Sequence, residues 1–158
     1  MRGKKTKTRI LQSDPIYSSR LVTRLINRVM KDGKRSIALS HVYKALEQVE
    51  KETKKPALEV LRQALERIKP AMEVRSRRVG GAAYQVPMPV RGDRRESLSI
   101  RWMVLSSRTR PNSQYHHYYQ KLAAEIIDSY KGESGAVKKR ENIQKMADAN
   151  KAFSHFRW

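Results

Sequence analysis

Residues 74–90 read VRSRRVGGAAYQVPMPV, two extended runs joined by a short Gly-Gly-Ala-Ala turn. Glycine supplies the positive φ that a tight reversal needs. In the return run, Pro87 and Pro89 are two positions apart and therefore have the same orientation in a strand. Both positions that lack an N–H can then point away from the partner strand. The outgoing run contains Arg75, Arg77 and Arg78, which is too much charge to bury on both faces. The stretch predicts a basic β-hairpin arm, residues 74–90, that projects from a separate body.

The composition favours a polyanion as the partner of this chain. The 158 residues include 35 Lys plus Arg against 15 Asp plus Glu, which gives a formal net charge of +20 and a sequence pI near 10.6. Such an excess attracts polyanions and opposes compaction by self-repulsion. Disorder is the competing expectation, but 39% apolar residues at helical spacing are enough for one core. The length favours a single domain, residues 1–158.

The sequence argues against several other classes of protein. No cysteine is present, so disulfides and thiolate zinc sites are excluded. The four histidines are not spaced as metal ligands, because the pair His116-His117 would point about 100° apart on a helix. Gly80-Gly81 lacks the lysine of a phosphate-binding loop, and no carboxylate pair is evidently placed for acid–base chemistry. We therefore predict no enzyme activity, no catalytic residue, no metal and no cofactor. Without a long apolar run or a signal-peptide core, we expect a soluble, unexported protein.

The first 35 residues predict a basic tail followed by a basic helix. Residues 1–12 have little to bury and suggest a flexible tail, and Ser13-Asp14-Pro15 is typical of a helix start. Asp32-Gly33 is expected to end this helix. Its apolar stripe is Leu21, Val22, Leu25, Ile26, Val29 and Met30. A second stripe, about 150° away, is entirely positive and consists of Arg20, Arg24, Arg28 and Lys31. Solvated faces normally mix charge signs, so this stripe predicts phosphate contact.

Helical periodicity predicts five further helices. The fourth helix of the chain follows a loop at residues 91–95, is apolar in nearly every direction, and should lie centrally. The predicted fold class is mainly α: a single-domain bundle of about six helices with a protruding two-stranded β-ribbon between the third and fourth helices. The five helices run from Ser36 to about Glu52, from near Pro56 to before Pro70, through Leu98–Leu105, from about Ser113 to Tyr130, and from about Ala136 onward.

The positive charge is concentrated in three segments. Residues 1–35 contain eleven basic and two acidic side chains, residues 74–101 contain seven and two, and residues 131–158 contain seven and three. The segments 36–73 and 102–130 have a net charge of +1 each. All seven cations of the arm segment are arginine, which suits bidentate phosphate contacts and stacking on unpaired bases. We therefore expect nucleic-acid contact from the tail with its first helix, the arm and the last helix.

Several strings resemble the signature of the small-subunit ribosomal protein seven family, in its bacterial form. The similarity covers nearly the whole chain, in order. Departures are mild: Pro89 stands where a polar residue is common, Gln144 where histidine is expected, and the run at residues 115–119 is unusual. The matching strings are EVRSRRVGGA at 73–82, YQVP at 84–87, IRW at 100–102, DGK at 32–34, AVKKRE at 136–141 and MADANKAF at 146–153.

The resemblance implies a six-helix bundle with a protruding β-ribbon, bound to the 3′ major domain of small-subunit rRNA. In that family the protein initiates assembly of the subunit head. The resemblance also implies that the ribbon and the final helix lie near the exit-site tRNA and the mRNA path. Other head proteins and a platform protein would be neighbours, and no membrane would be involved. The protein would act in the ribosome of the cytoplasm, or of the plastid stroma if it is plastid-encoded.

Trp102 is predicted to be structural: it is adjacent to Arg101, and if it faces the bundle, Arg101 can lie near the RNA.

Two sets of site residues follow from the charge pattern and the resemblance. The set expected to bind rRNA is Arg2, Lys4, Lys5, Lys7, Arg9, Arg20, Arg24, Arg28, Lys31, Lys34, Arg35, Arg75, Arg77, Arg78, Arg94, Arg95, Arg101, Arg108 and Arg110. The set that the resemblance implies near tRNA and mRNA is Arg78, Val79, Gly80, Gly81, Ala82, Tyr84, Lys138, Lys139 and Arg140.

The alternative from sequence physics is a DNA-architectural protein with a β-ribbon arm in the minor groove. Pro87 and Pro89 could act there as wedges between base steps. Such proteins usually complete their contact surface by dimerisation, and this sequence has no heptad seam. The two classes differ in whether structured RNA or duplex DNA binds more tightly at matched salt.

Overall fold

The computed structural model describes Gly3 and residues 10–156. Most of the predicted basic tail therefore lies outside the described residues. Within them, the mainly helical fold class with a strand pair between the third and fourth helices is confirmed. None of the described helices combines the length and apolarity required to cross a bilayer. The elements are α1 Arg20–Val29, α2 Arg35–Thr53, α3 Ala57–Ile68, β1 Met72–Val79, β2 Ala82–Pro89, α4 Gly92–Thr109, α5 Tyr118–Lys131, α6 Gly135–Ala149 and a 3-10 helix Lys151–Phe156.

The hydrophobic core forms around α5, which contacts α2, α3, α4 and α6. Leu122 and Ile126 of α5 are fully buried, as are Leu46 of α2 and Leu61 of α3. Each such side chain contributes roughly 1.5–3 kcal/mol when it leaves water. All six α-helices supply residues to the same apolar cluster. The apolar helix faces predicted from the sequence periodicity therefore pack into a single core.

The predicted central position of the fourth helix is also confirmed. α4 contacts α1, α3, α5 and α6. Its Trp102 is only 5% exposed and belongs to the apolar cluster, whereas the neighbouring Arg101 is exposed. The opposite environments of these adjacent side chains follow from the 100° rotation per helical residue.

The start of the first helix was predicted too early. Asp14 accepts hydrogen bonds from the backbone N–H groups of Ile16 and Tyr17 at 3.1 and 3.0 Å, as a capping side chain does. These bonds close a turn instead of a helix, and Ser18 then takes a left-handed φ of 47°. α1 begins only at Arg20. The predicted apolar and basic stripes are otherwise on the helix, except that Met30 and Lys31 follow its last residue, Val29.

Two other boundaries also differ from the prediction. The predicted loop at residues 91–95 is wrong, because α4 already begins at Gly92, with Asp93 in the first turn where the helix dipole favours a carboxylate. The fifth helix begins at Tyr118 and not near Ser113. There the backbone N–H of His117 donates to Oε1 of Gln120 at 3.1 Å, which fixes the first turn. Tyr115 thus lies in the connecting loop.

The hairpin reverses over two residues, which is tighter than the predicted four. Gly80 and Gly81 have φ of 57° and 90°, so the two turn positions favour glycine, and Ala82 already begins β2. The strands pair antiparallel with Arg77 opposite Tyr84. The base of the ladder closes where the N–H of Val90 donates to the carbonyl of Ala71 at 3.0 Å. Because the N–H of Val90 points at β1, the backbone N–H positions of odd-numbered residues in β2 point away from β1. Pro87 and Pro89 occupy two of these positions, as predicted, so no hydrogen bond between the strands is lost.

The prediction that the arm projects from a separate body is wrong for all of the hairpin except the end around its turn. α6 packs against β1, and the C-terminal 3-10 helix packs against β2. The ring of Tyr84 lies 5.2 Å from that of Phe153 and 5.3 Å from that of Phe156, and Val86 is fully buried. Periodicity gave no sign of this cover, because the contact joins segments far apart in sequence. The outer end, including Arg78 and residues 80–83, is exposed.

A buried carboxylate joins the last three helices. Glu125 of α5 is 1% exposed, and its Oε2 accepts hydrogen bonds from Nε and Nη2 of Arg110 at 2.9 and 2.7 Å. Its Oε1 accepts the N–H of Ala136, in the first turn of α6, at 3.2 Å. Arg110 also donates to Asp128 at 2.6 Å. Burial opposes the charge of Arg110, but the hydrogen bonds to Asp128 and Glu125 outweigh it and raise the pKa of Arg110.

Replacing Trp102 by alanine should lower the free energy of unfolding by about 3–5 kcal/mol, because the indole is buried in the core. Chemical denaturation followed by circular dichroism measures this. Arg101→Ala is the matched control, since that side chain is exposed and its loss should change stability no more than an ordinary surface substitution. Unchanged unfolding of the Trp102 variant together with lost RNA binding would mean that the indole contacts RNA.

Replacing Arg110 by methionine should destabilise the fold by about 3–5 kcal/mol, because it leaves Glu125 buried without its cation. Lys51→Met is the control: it also removes one cation from an ion pair, with Glu47, but both partners are exposed. This control should change the unfolding midpoint little. Equal effects of the two substitutions on unfolding would mean that the buried ion pair contributes no more to stability than the exposed one.

Candidate nucleic-acid interface

The helices α1 and α4 lie side by side and run in the same direction. Near their first turns, Nη1 of Arg24 lies 2.8 Å from Oε2 of Glu96. Near their last turns, Nη2 of Arg108 donates to the carbonyl of Val29 at 3.1 Å. The second contact also gives a partner to a carbonyl that the end of α1 would leave unpaired. The two contacts hold the outer faces of both helices in one surface.

Cations line the outer face of α4. Arg94, Arg101 and Arg108 follow one another at intervals of seven, so they share a face with only about 20° of drift per step. All three residues are exposed. Arg20 and Arg28 of α1 are exposed as well. The two parallel helices therefore present arginines from end to end.

The base of the hairpin is attached to this face by a shared carboxylate. Glu73 of β1 is 8% exposed. Its Oε1 accepts from Nε of Arg75 at 2.6 Å, and its Oε2 accepts from Nε of Arg94 at 2.7 Å. One buried acid thus orients an arginine of the hairpin and an arginine of α4 next to each other.

The turn between α1 and α2 extends the cationic face at the opposite end. Asp32 and Gly33 take left-handed φ values of 51° and 72°, and Lys31, Lys34 and Arg35 are exposed around them. Arg35 donates to Oδ1 of Asn27 at 3.1 Å. We call the cations of α1, the turn after it, the base of the hairpin and the outer face of α4 the basic surface: Arg20, Arg24, Arg28, Lys31, Lys34, Arg35, Arg75, Arg94, Arg101 and Arg108.

Some residues of the predicted rRNA-binding set bond to other groups within the protein. Arg110 is 16% exposed at its side chain and forms an ion pair with the buried carboxylate of Glu125. Nε of Arg95 donates to the carbonyl of Pro70 at 3.1 Å, below the hairpin. Of the others, Arg77 is half-buried and Arg78 is exposed. The predicted tail residues Arg2, Lys4, Lys5, Lys7 and Arg9 lie outside the described residues.

The set expected near tRNA and mRNA is divided in a similar way. The turn residues Gly80 and Gly81 are exposed, as are Lys138 and Lys139 on α6. Tyr84, by contrast, is half-buried against the 3-10 helix. Arg140 donates to the carbonyl of Arg67 and pairs with its neighbour Glu141, so its position is fixed by α3.

The aromatic and histidine run at residues 115–119, which spans the start of α5, packs partly on α2, an arrangement that the sequence pattern did not indicate. The ring of His41 meets that of Tyr118 edge-to-face at 5.8 Å and stacks on that of Tyr119 at 6.4 Å. Burial lowers the pKa of His41 below its ordinary value, and Lys44 and His117 lower it further. No group of His, Cys, Asp or Glu able to hold a metal ion occurs among the described residues.

Comparison with known proteins identifies the family that shares these features. The profile of the family described as ribosomal protein S7p/S5e matches residues 1–151. The chain belongs to this family. It is similar to the small ribosomal subunit protein uS7 of Streptococcus mutans, with 54% identity over 145 residues, 92% of this chain and 91% of the relative. It is 50% identical over 161 residues to the uS7 protein of Kosmotoga olearia, with 100% of both chains covered.

Membership of the S7p/S5e family confirms the resemblance found in the sequence strings. The structure gives two of those strings a physical reason. EVRSRRVGGA contains the carboxylate of Glu73 that orients two arginines, and the glycines that reverse the hairpin. DGK supplies the two left-handed residues, Asp32 and Gly33, that separate α1 from α2.

Shortening the hairpin tests whether its exposed end is needed to hold the 3-10 helix in place. Arg77 lies opposite Tyr84, so residues 78–83 can be replaced by a two-residue Asn-Gly turn without changing the register. With Tyr84 kept, thermal unfolding should stay nearly the same and the backbone amides of residues 151–156 should keep their exchange rates. Adding Tyr84→Ala to this variant should speed amide exchange in that segment, because both ring contacts are lost. Fast exchange in the variant that retains Tyr84 would show that the end of the hairpin itself holds the 3-10 helix.

Proposed function

We propose that this chain is a structural protein of the small ribosomal subunit that binds the 3′ major domain of the subunit's rRNA and initiates assembly of the head. The observation that carries the proposal is the basic surface, which continues from the hairpin across α4 and α1 to the turn at Lys34. It occurs in a chain whose relatives are named small ribosomal subunit proteins. In this role the chain acts within the ribosome, beside rRNA and other ribosomal proteins.

The shape and chemistry of the basic surface support RNA as the ligand. Between α1 and α4 lies a shallow cleft of about 450 Å³, lined in part by Arg24, Arg28, Asn27 and Ser97. Arginines along both helices can follow a phosphate backbone, and their planar guanidinium groups form bidentate phosphate contacts. Salt bridges to Glu96 and Glu73 limit the freedom of Arg24 and Arg94, so less side-chain entropy is lost on binding.

The outer end of the hairpin and the exposed lysines of α6 support a second contact zone. We infer that Arg78, the turn at Gly80-Gly81 and the exposed Lys138 and Lys139 approach the exit-site tRNA and the mRNA path. Tyr84 acts in this zone indirectly, by holding the hairpin against the 3-10 helix. Head proteins and a platform protein are the proposed protein neighbours. The whole chain serves as one RNA-binding domain, with residues 1–12 as an additional basic tail.

Binding to a transcript of the 3′ major domain should fall steeply with salt, because phosphate contacts release counterions. We expect a log–log slope of several units. Arg101→Ala should reduce that slope by about one, since it removes one exposed cation of the basic surface. Arg67→Ala removes an exposed arginine of α3 that donates to the carbonyl of Lys131, away from the basic surface, and should leave the slope unchanged.

Duplex DNA of equal length, measured at the same salt concentrations, serves as the competing ligand. Tighter binding to the rRNA transcript supports the proposed function. A slope near zero, equal effects of the two arginine substitutions, or a preference for the duplex would overturn it.

A further inference from the structure

A pocket of about 440 Å³ lies at one end of the basic surface. Its walls come from the end of α1, the start of α2, the end of α4, the loop before α5 and the first turns of α5. Val29 and Ala38 form an apolar floor, and Ile37 stands at the rim with 53% of its surface exposed. Its size is within the range of small-molecule sites, roughly 300–1,000 Å³. An exposed isoleucine amid lysines and arginines has no role in the core of this protein.

The charged groups around the pocket are all cationic. Among the described lining residues none is acidic, and the cations are Lys31, Lys34, Arg108 and Lys121. Arg108 is positioned by the carbonyl of Val29, and Nζ of Lys121 donates to the carbonyl of Arg110 and to Oδ1 of Asn112. Lys31 and Lys34 are exposed and have no ion-pair partner within residues 10–156. The entrance therefore attracts anions while the floor excludes them.

One wall of the pocket is aromatic and carries an unused polar atom. His41 and Tyr118 line it, with their rings edge-to-face at 5.8 Å. Tyr118 is held by a hydrogen bond between its hydroxyl and Oγ of Ser107 at 3.0 Å. Nδ1 of His41 is buried and has no hydrogen-bond partner in the described part of the chain. That nitrogen is closed to solvent, so the rings of His41 and Tyr118 are what this wall presents to a ligand.

We propose that this pocket receives a single unpaired nucleobase of the rRNA, turned out of its strand, with the adjoining phosphates held by Lys31, Lys34 and Arg108. The inference rests on the proposed function and adds a base-binding site to a surface otherwise suited to phosphates. An inorganic phosphate would leave the apolar floor and Ile37 without a contact. A nucleobase combines a flat apolar face, polar edges and attached anionic phosphates, which matches all three parts of the site.

An abasic scan of the 3′ major-domain transcript tests the proposal. Single abasic nucleotides are introduced at unpaired positions, and affinity is measured for the wild-type chain, Ile37→Ala and Ile16→Ala. Ile16 is the matched control, because it is also an exposed isoleucine, 66% exposed, but does not line the pocket. Losing a stacked base typically weakens binding about five- to 150-fold, so one abasic position should show such a loss with the wild-type chain.

Coupling between protein and RNA changes identifies the pocket. Ile37→Ala should weaken binding of the intact transcript about fivefold, and this effect should vanish with the RNA that is abasic at the sensitive position. Ile16→Ala should show no coupling with any position. If the wild-type chain binds with the expected salt slope but no abasic position is coupled to Ile37, the base-binding inference is overturned and the proposed function stands. If the wild-type chain does not prefer the transcript, both are overturned.

Discussion

The buried carboxylate of Glu125 is the constraint on which the arrangement of the last three helices depends. A charge inside an apolar core is tolerated only when cations and N–H groups surround it, and Arg110 and the first turn of α6 supply them. This requirement fixes where α4 ends and where α6 begins. Because the end of α4 is fixed, Arg108 can reach the last carbonyl of α1 and hold the two basic helices parallel.

The few acidic side chains explain how a chain with a net charge of +20 maintains an ordered surface. Glu73 bridges two arginines, and Glu96 pairs with Arg24. Glu73 lies between two cations that would otherwise repel one another, and Glu96 partly neutralises a third. The remaining cations, such as Arg28 and Arg101, are left exposed. Self-repulsion is thus relieved at a few points, and the rest of the positive field stays available to a polyanion.

Periodicity and turn chemistry predicted most of the fold, because these signals are local. The six helices, the hairpin between the third and fourth, and the burial of Trp102 follow from spacing along the chain. Helix starts were less predictable: the hydrogen bonds of Asp14 close a turn that looks like a cap in sequence. Contacts between residues distant in sequence leave no such pattern. The charge pattern therefore did not show that Arg110 pairs with a buried carboxylate, and no signal indicated that the 3-10 helix covers Tyr84. The pocket beside Ile37 was missed for the same reason, since its walls come from several separate segments.

The contact between Tyr84 and the 3-10 helix also bears on the order of folding during synthesis. Tyr84 and Phe153 are 69 positions apart, so Phe153 is added to the growing chain well after the hairpin. Chains fold from the N-terminus as they emerge, so α1 to α5 can build their shared interior first. The hairpin around Tyr84 stays uncovered until residues 151–156 have been synthesised. A growing chain can therefore form its helical interior before the 3-10 helix packs on its hairpin.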